Sequence, residues 1–451
     1  MEPIKLGELL KGIAVTKIPE LVVTEVTTDS RKITEGCLFV GIVGDKFDGN
    51  DFAQEALGKG ASAVVVSRMQ DIDGEQILVS NTKDALIEMA GNYRRRYSPK
   101  VAAVTGSVGK TTTKEMIAAI FCSFGETLKP MGNQNNEIGL PRTVFQMTKN
   151  TELAVLEMGM NALGDISKLT RAVRPRVAVI TAIGVSHMEL LGSRENILKA
   201  KLEIVEGLPK DGILVLNGDD DLLMGARADI PVYTTTFAIN NTDSEVVAKD
   251  IMSRLRSTEF SIDDRVNGIY QARIPCTGLH NVMDALAAYT VATRMGLNPE
   301  QCATALENYQ PTGMRQKFVD FMGITVIEDC YNASPDSMRA SLETLADLPI
   351  DGIKVAVLGD MLELGEISYE AHRDIGMEAA KMGIDILLCY GDNMTHTVEA
   401  ARAAGIASAE HFAEKAEMAD YLRKTMQPGD AVMFKASRSI ALEDVIELFY
   451  N

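Results

Sequence analysis

The run Val101-Ala-Ala-Val-Thr-Gly-Ser-Val-Gly-Lys-Thr-Thr-Thr113 decides the fold. Its apolar start, Val101–Thr105, has the composition of a buried strand and runs straight into a glycine-bounded turn. Lys110 and Thr111 then open a stretch of helical spacing, so the order is strand, loop, helix. That order suits a phosphate-binding loop. Glycines let the backbone approach a phosphate, and a helix N-terminus presents N–H groups to negative charge. The expected contacts are Thr105, Gly106, Ser107, Val108, Gly109, Lys110, Thr111, Thr112 and Thr113. Lys110 would neutralise the β/γ-phosphates and the Thr111 hydroxyl would ligate magnesium. The stricter loop pattern has glycine where Val104 stands, so this loop is a short variant.

Outward from the loop, apolar strands alternate with helical stretches. The spacing predicts strands at Leu153–Glu157, Val177–Ile183 and Ile213–Asn217, with helices from about Thr111, Gly164 and Arg194. Continuous apolar strands separated by helices imply a parallel sheet covered on both faces. Residues 238–275 are more polar and read as a β-rich excursion before a helix near His280. Upstream, Leu38–Val43 and Ala61–Ser67 are strand candidates, and helical spacing from Thr82 ends at Arg94–Pro99. Downstream of Thr312 the alternation resumes with strands at Ile324–Ile327, Val355–Leu358, Ile386–Tyr390 and Ala431–Lys435. The expectation is an α/β chain of three domains. Residues 1–98 form a small N-terminal α/β domain for a substrate, 99–312 a central P-loop parallel-sheet ATPase domain, and 313–451 a C-terminal Rossmann-like domain. A hinge is expected near Pro311–Gly313. At roughly 150 residues per domain, a length of 451 agrees.

The formal net charge of −18 argues against a nucleic-acid polymer or an anionic membrane as partner, while leaving room for a nucleotide held by local donors. The six cysteines are scattered, form no CxxC or Cys/His cluster, and suggest buried thiols in a reducing compartment. The N-terminal run has neither the apolar core nor the cleavage site of a secretory signal, and no stretch approaches a membrane span. A cytoplasmic monomer without stable membrane insertion is therefore expected.

Further motifs accompany the loop. They include Gly132-Asn-Gln-Asn-Asn-Glu-Ile-Gly-Leu-Pro141, Leu156-Glu-Met-Gly159, His187, Lys199-Ala-Lys201 and Gly278-Leu-His-Asn281. Together they resemble the Mur ligase family and its folylpolyglutamate synthetase relatives. Near the N-terminus, Thr28-Asp-Ser-Arg31, Phe39-Val-Gly41 and Asp48-Gly-Asn-Asp-Phe52 resemble the UDP-substrate domain of that family. Glu328–Asp336, Leu358–Gly365 and Lys435-Ala-Ser-Arg438 resemble the member that attaches a dipeptide.

The resemblance implies an ATP- and Mg2+-dependent, ADP-forming ligase joining D-alanyl-D-alanine to UDP-N-acetylmuramoyl-tripeptide through an acyl phosphate. It implies catalytic roles for Lys110, Glu157, His187 and Lys201. Thr111, Glu157 and His187 would be metal ligands, and Lys201 would be carbamylated, with Lys199 as the alternative. Asn281 would meet the adenine, although an Asn there can equally cap the following helix. Arg315 and Asp329 would reach the nucleotide. Thr28, Ser30, Arg31, Asn135, Asn136, Tyr331, Asn332, Asp336 and Lys435 would contact the two other substrates. Two rivals stand beside this reading. One is a sister ligase adding a single amino acid, to a muramoyl peptide or a folate; the other is a P-loop NTPase whose hydrolysis switches a partner.

Overall fold

The structure is a computed structural model describing residues 1–44 and 46–451. Asp45, just beyond the expected strand Leu38–Val43, lies outside the described residues. The secondary structure gathers into three large sheets, and the phosphate-loop strand sits inside the largest.

That central sheet has nine strands. Lys100–Thr105 is buried beyond its first residue, as its apolar run requires, and pairs in parallel with Leu153–Glu157 on one side and Val177–Ile180 on the other. Ile213–Asn217 and Tyr233–Ala238 extend the parallel part, and three strands between Val246 and Ile274 finish the sheet as antiparallel neighbours. After Lys100–Thr105 the chain visits one side of the strand and then crosses to the other. Such a reversal opens a crevice at the carboxyl ends of the strands, where ligands of open α/β sheets bind. Helices Lys110–Cys122 and Leu279–Arg294 cover one face through Met116, Ile120, Phe121 and Leu286.

The first sheet is parallel and four-stranded, from Glu25–Thr27 to Gln76–Leu78. Helix Thr82–Arg94 follows it. Asn81 caps its start, its Oδ1 accepting from the Lys83 and Asp84 amides at 2.9 and 3.1 Å. The third sheet has six strands, all parallel except the edge strand Lys317–Phe321.

Most expected elements are found within one or two residues. Val177–Ile180 is shorter than expected, because residues 181–183 leave the sheet and fold over the phosphate loop, with the Ala182 carbonyl accepting from the Ser107 amide at 2.8 Å. Tyr233–Ala238, Lys317–Phe321 and Ser408–Phe412 are strands the sequence reading missed. Three consecutive threonines hide the first, and the others are edge strands with polar residues where buried strands carry apolar ones. Five of the six free cysteines are buried and Cys122 is exposed. Among the described residues, no helix is long and apolar enough to cross a membrane.

Candidate active site

The phosphate loop is tightly specified. Gly106 adopts φ 154°, and a Cβ there would lie 1.8 Å from Thr181 Oγ1. Gly109 adopts φ 79°, and a Cβ there would lie 2.3 Å from Asp284 Oδ1. Only glycine satisfies both backbone and neighbour. Lys110 begins the helix, and its Nζ curls back to donate to the Gly106 and Ser107 carbonyls at 2.7 and 3.2 Å. Burial lowers its pKa, opposed by the charge of Glu157. Ser107 Oγ is buried without a partner. Thr105 and Thr113 lie beneath the loop, donating to the Met158 carbonyl at 2.8 Å and to Asp284 Oδ1 at 2.9 Å.

Strand Leu153–Glu157 delivers Glu157 beside the loop. Its buried carboxylate accepts from Thr111 Oγ1 at 3.0 Å and from Asn135 Nδ2 at 2.8 Å. Neither donor is charged. Asn136, next to Asn135, spends its Oδ1 on the Ile138 and Gly139 amides at 3.2 and 2.8 Å, starting the short helix that follows. His187 follows strand Val177–Ile180 in a left-handed conformation, φ 63°. Its Nδ1 lies 3.0 Å from Glu363 Oε2, within ion-pair range but too poorly aligned for a hydrogen bond. Burial, then the charge of Lys110, lowers its pKa and favours neutral imidazole.

Lys199 and Lys201 share helix Arg194–Leu202, yet Lys199 is exposed and Lys201 is 2% exposed. Burial, then the charge of Lys110, pushes the Lys201 amine well below its ordinary pKa. Across the cleft, the third sheet's unit supplies Arg315, 3.9 Å above the Tyr331 ring, and Asp329. Asp329 Oδ2 pairs with Lys435 at 2.6 Å and accepts from Ser341 at 2.7 Å.

These groups enclose a cavity of about 490 Å³. Gly106–Thr111, Asn135, Asn136, Glu157, His187 and Lys201 line it from the middle unit. Arg315, Asp329, Tyr331, Asn332 and Lys435 line it from the third. Its lining mixes cations, among them Lys110, Arg315 and Lys435, with the carboxylates Glu137, Glu157, Asp165 and Asp329.

Three family models match the chain in succession. They are the Mur ligase family catalytic domain over residues 22–119, the Mur ligase middle domain over 104–292 and the Mur ligase glutamate ligase domain over 314–438. The UDP-N-acetylmuramoyl-tripeptide–D-alanyl-D-alanine ligase of Bacillus subtilis is 39% identical over 98% of this chain and 96% of its own. The chain belongs to the Mur ligase family. The Escherichia coli enzyme of the same name is 36% identical over 95% and 94% of the two chains. Among solved structures, MurF from Acinetobacter baumannii superposes with TM-score 0.92 at 30% identity, covering all of both chains. MurF ligase from Thermotoga maritima, solved in complex with ADP, gives 0.83 at 29% identity over 95% and 97%.

Beside the main cavity of this Mur ligase lies a second of about 240 Å³, lined by Thr112, His280, Asn281, Asp284, Tyr309, Gln316 and Asp336. Asn281 is no cap here. Its Nδ2 donates to the Thr277 carbonyl at 2.7 Å and to Gln316 Oε1 across the junction of the units. Burial drops the His280 imidazole to about 4 and pushes the Asp284 carboxyl up to about 8. Asp336 Oδ2 is buried without a partner against Gly184, where a Cβ would approach to 2.1 Å.

Thr28, Ser30 and Arg31 line neither cavity. They follow strand Glu25–Thr27, and Arg31, largely exposed, pairs with Asp29 at 2.8 Å. Sequence reasoning missed Thr181, Asp284 and Gln316. Asp284 lay within reach, because it follows Asn281 by three residues and so shares its helix face. Gln316 had no such signal. Lys83, on helix Thr82–Arg94, also lines the main cavity unexpectedly.

Proposed function

We propose that this Mur ligase joins D-alanyl-D-alanine to UDP-N-acetylmuramoyl-tripeptide in the cytoplasm, as a monomer, at the cost of ATP. The observation that carries the reading is the phosphate loop opening into a cavity whose walls come from the middle and third units, with Lys110, Lys201, Arg315 and Lys435 around it. Residues 1–98 bind the UDP-linked tripeptide, 99–312 bind ATP and 313–451 bind the dipeptide.

The tripeptide's terminal carboxylate attacks the γ-phosphorus, giving an acyl phosphate and ADP. The dipeptide amine then attacks the acyl carbon, and the tetrahedral intermediate expels inorganic phosphate. The first step brings two anions together, so cations must screen them. Lys110, Arg315 and the amides of the loop supply fixed positive charge without reorganising. Asn281 meets the adenine in the second cavity, and Asp329 holds Lys435 toward the dipeptide. Closure of the third unit over the loop excludes water, which would otherwise hydrolyse the acyl phosphate.

The donor set fits magnesium. Among the described residues no three His, Cys, Asp or Glu side chains converge. However, the buried Glu157 carboxylate is held by two neutral donors, one of them the Thr111 hydroxyl at 3.0 Å, and these hard oxygens are of the kind that would hold magnesium. Thr111 and Glu157 would hold one ion, and the neutral imidazole of His187 would contribute to a second. When bound there, magnesium would supply charge neutralisation at the phosphate oxygens and polarisation of the γ-phosphoryl group. Lys201 fits a carbamate. Its buried amine is driven toward the neutral form that adds carbon dioxide, releasing one proton and leaving an anion beside the cavity.

Product analysis tests the reading. ADP, phosphate and a muramoyl pentapeptide should appear only when ATP, the tripeptide and D-alanyl-D-alanine are all present. Rapid ATP hydrolysis without acceptors would instead support a nucleotide switch.

A further inference from the structure

The ligase reading leaves the third residue of the acceptor tripeptide open, and the part of the cavity wall that the first unit supplies bears on it. Among the described residues, Lys83 is the first unit's one contribution to that wall. Its Nζ stands 3.7 Å from Glu137 Oε2, and no hydrogen bond joins them. Helix stability does not explain this lysine. It occupies the first turn of helix Thr82–Arg94, where the helix dipole disfavours a cation.

The surrounding charges are already matched. Lys168 pairs with Asp84 at 2.8 Å, and Asp165 Oδ2 accepts from the Asn161 and Ala162 amides at 2.8 and 2.9 Å. The cavity's remaining cations, Lys110, Lys201, Arg315 and Lys435, belong to the middle and third units. Lys83 and Glu137 are left as one cation and one anion, close enough to share a ligand and too loosely paired to satisfy each other.

We infer that Lys83 and Glu137 together read the side-chain end of the acceptor's third residue, and that this end carries both a carboxylate and an ammonium. The substrate class is a tripeptide ending in a diamino dicarboxylic acid. Its distal carboxylate meets Lys83 and its distal ammonium meets Glu137, so each charge is compensated twice. A lysine side chain would satisfy Glu137 but place its ammonium beside that of Lys83. That like-charge contact makes Lys83 a selective element as well as a binding one.

The inference rests on the proposed ligase activity, and the experiment separates the two. Initial rates are measured with UDP-N-acetylmuramoyl tripeptides ending in diaminopimelate or in lysine, at saturating ATP and D-alanyl-D-alanine. The wild type should show kcat/KM about tenfold higher with diaminopimelate, the scale of one hydrogen-bonded charge pair. Lys83→Met should raise KM for that acceptor about tenfold, leave KM for the lysine acceptor unchanged or lower, and leave KM for ATP unchanged. Glu137→Gln should raise KM for both acceptors. Equal wild-type efficiency on the two acceptors would overturn the inference, as would a Lys83→Met variant that weakens both alike. Absence of ADP with either acceptor would remove the ligase reading itself.

Discussion

Where the first unit meets the middle one, Tyr93 is fully buried, and its hydroxyl donates to the Met147 carbonyl at 2.8 Å. Its ring stacks edge-on against Phe145, and Gly91 on helix Thr82–Arg94 lets helix Asp165–Val173 approach at Ala172. One continuous apolar core runs from Ile4 to Leu223 and belongs to both units. The third unit meets the middle one differently. Its own two cores are separate, and among the described residues Val185 and Leu255 alone pack against them from the middle unit. Polar contacts cross the same junction: His187 by Glu363, Asn281 with Gln316, Asp336 against Gly184. The linker at Pro311–Gly313 carries a glycine at φ 66°. An apolar junction is fixed by burial, whereas a polar one exchanges its partners for ligand and water at little net cost. The expectation is that the first and middle units act as one body and that the third is the part that moves.

Calorimetry can break that comparison. Two thermal transitions are expected, one for the first and middle units together and one for the third. Tyr93→Ala should destabilise the joint transition by about 3–5 kcal/mol, as for other buried aromatic truncations, and leave the third unit's transition in place. A shift of both transitions would mean the junctions do not differ. Lys110→Ala is the converse. It should lower kcat by at least about 100-fold, roughly 2.7 kcal/mol of transition-state stabilisation, with both transitions unmoved. A variant within tenfold of wild type would remove Lys110 from the chemistry.

Lys201 lies on the cleft side of the same body, and its effect should be smaller. Lys201→Ala should cost about 10–100-fold in kcat, the range for groups that organise a metal site. Lys201→Arg should fare no better, since guanidinium keeps the charge but forms no carbamate. A carbamate resonance should appear in carbon NMR of wild type equilibrated with labelled bicarbonate. Its absence, or an active arginine variant, would refute the modification.

The sequence made the apolar skeleton legible because buried parallel strands are continuous apolar runs and the loop between Gly106 and Thr111 has a fixed chemistry. It made the lysine choice legible only as two options. Lys199 and Lys201 differ by two residues, about half a helical turn, so burial of one face separates them once the helix is docked. Thr28, Ser30 and Arg31 were expected with the other substrate contacts, yet they line neither cavity, and no local pattern says which loops of the first unit face the phosphate loop. Lys83 and Gln316 could not be read at all. Their importance comes from which unit faces which, and no local pattern encodes that.

Asp284 offers the finest probe of the joint body, because it is buried beneath the phosphate loop with its carboxyl pushed up to about 8 by burial. The folded carboxyl holds its proton more tightly than the unfolded one, whose pKa is near 3.8. Its contribution to stability is therefore complete below the unfolded value and falls as pH rises, until it is gone near pH 8. The slope cannot exceed about 1.4 kcal/mol per pH unit from one group. The hydrogen bond that Thr113 Oγ1 donates to Asp284 Oδ1 at 2.9 Å and the charge of Arg315 both favour the ionised form, and burial outweighs them. Asp284→Asn keeps an acceptor for Thr113 and removes the titration. The joint transition of wild type should therefore drop between pH 5 and 8 relative to that of the variant, while the third unit's transition shows no such difference. Parallel pH profiles for wild type and Asp284→Asn would show that this carboxyl is ionised in the folded protein. A difference confined to the third unit's transition would instead mean that the junction of Asn281 and Gln316 couples the two bodies more strongly than their separate cores suggest.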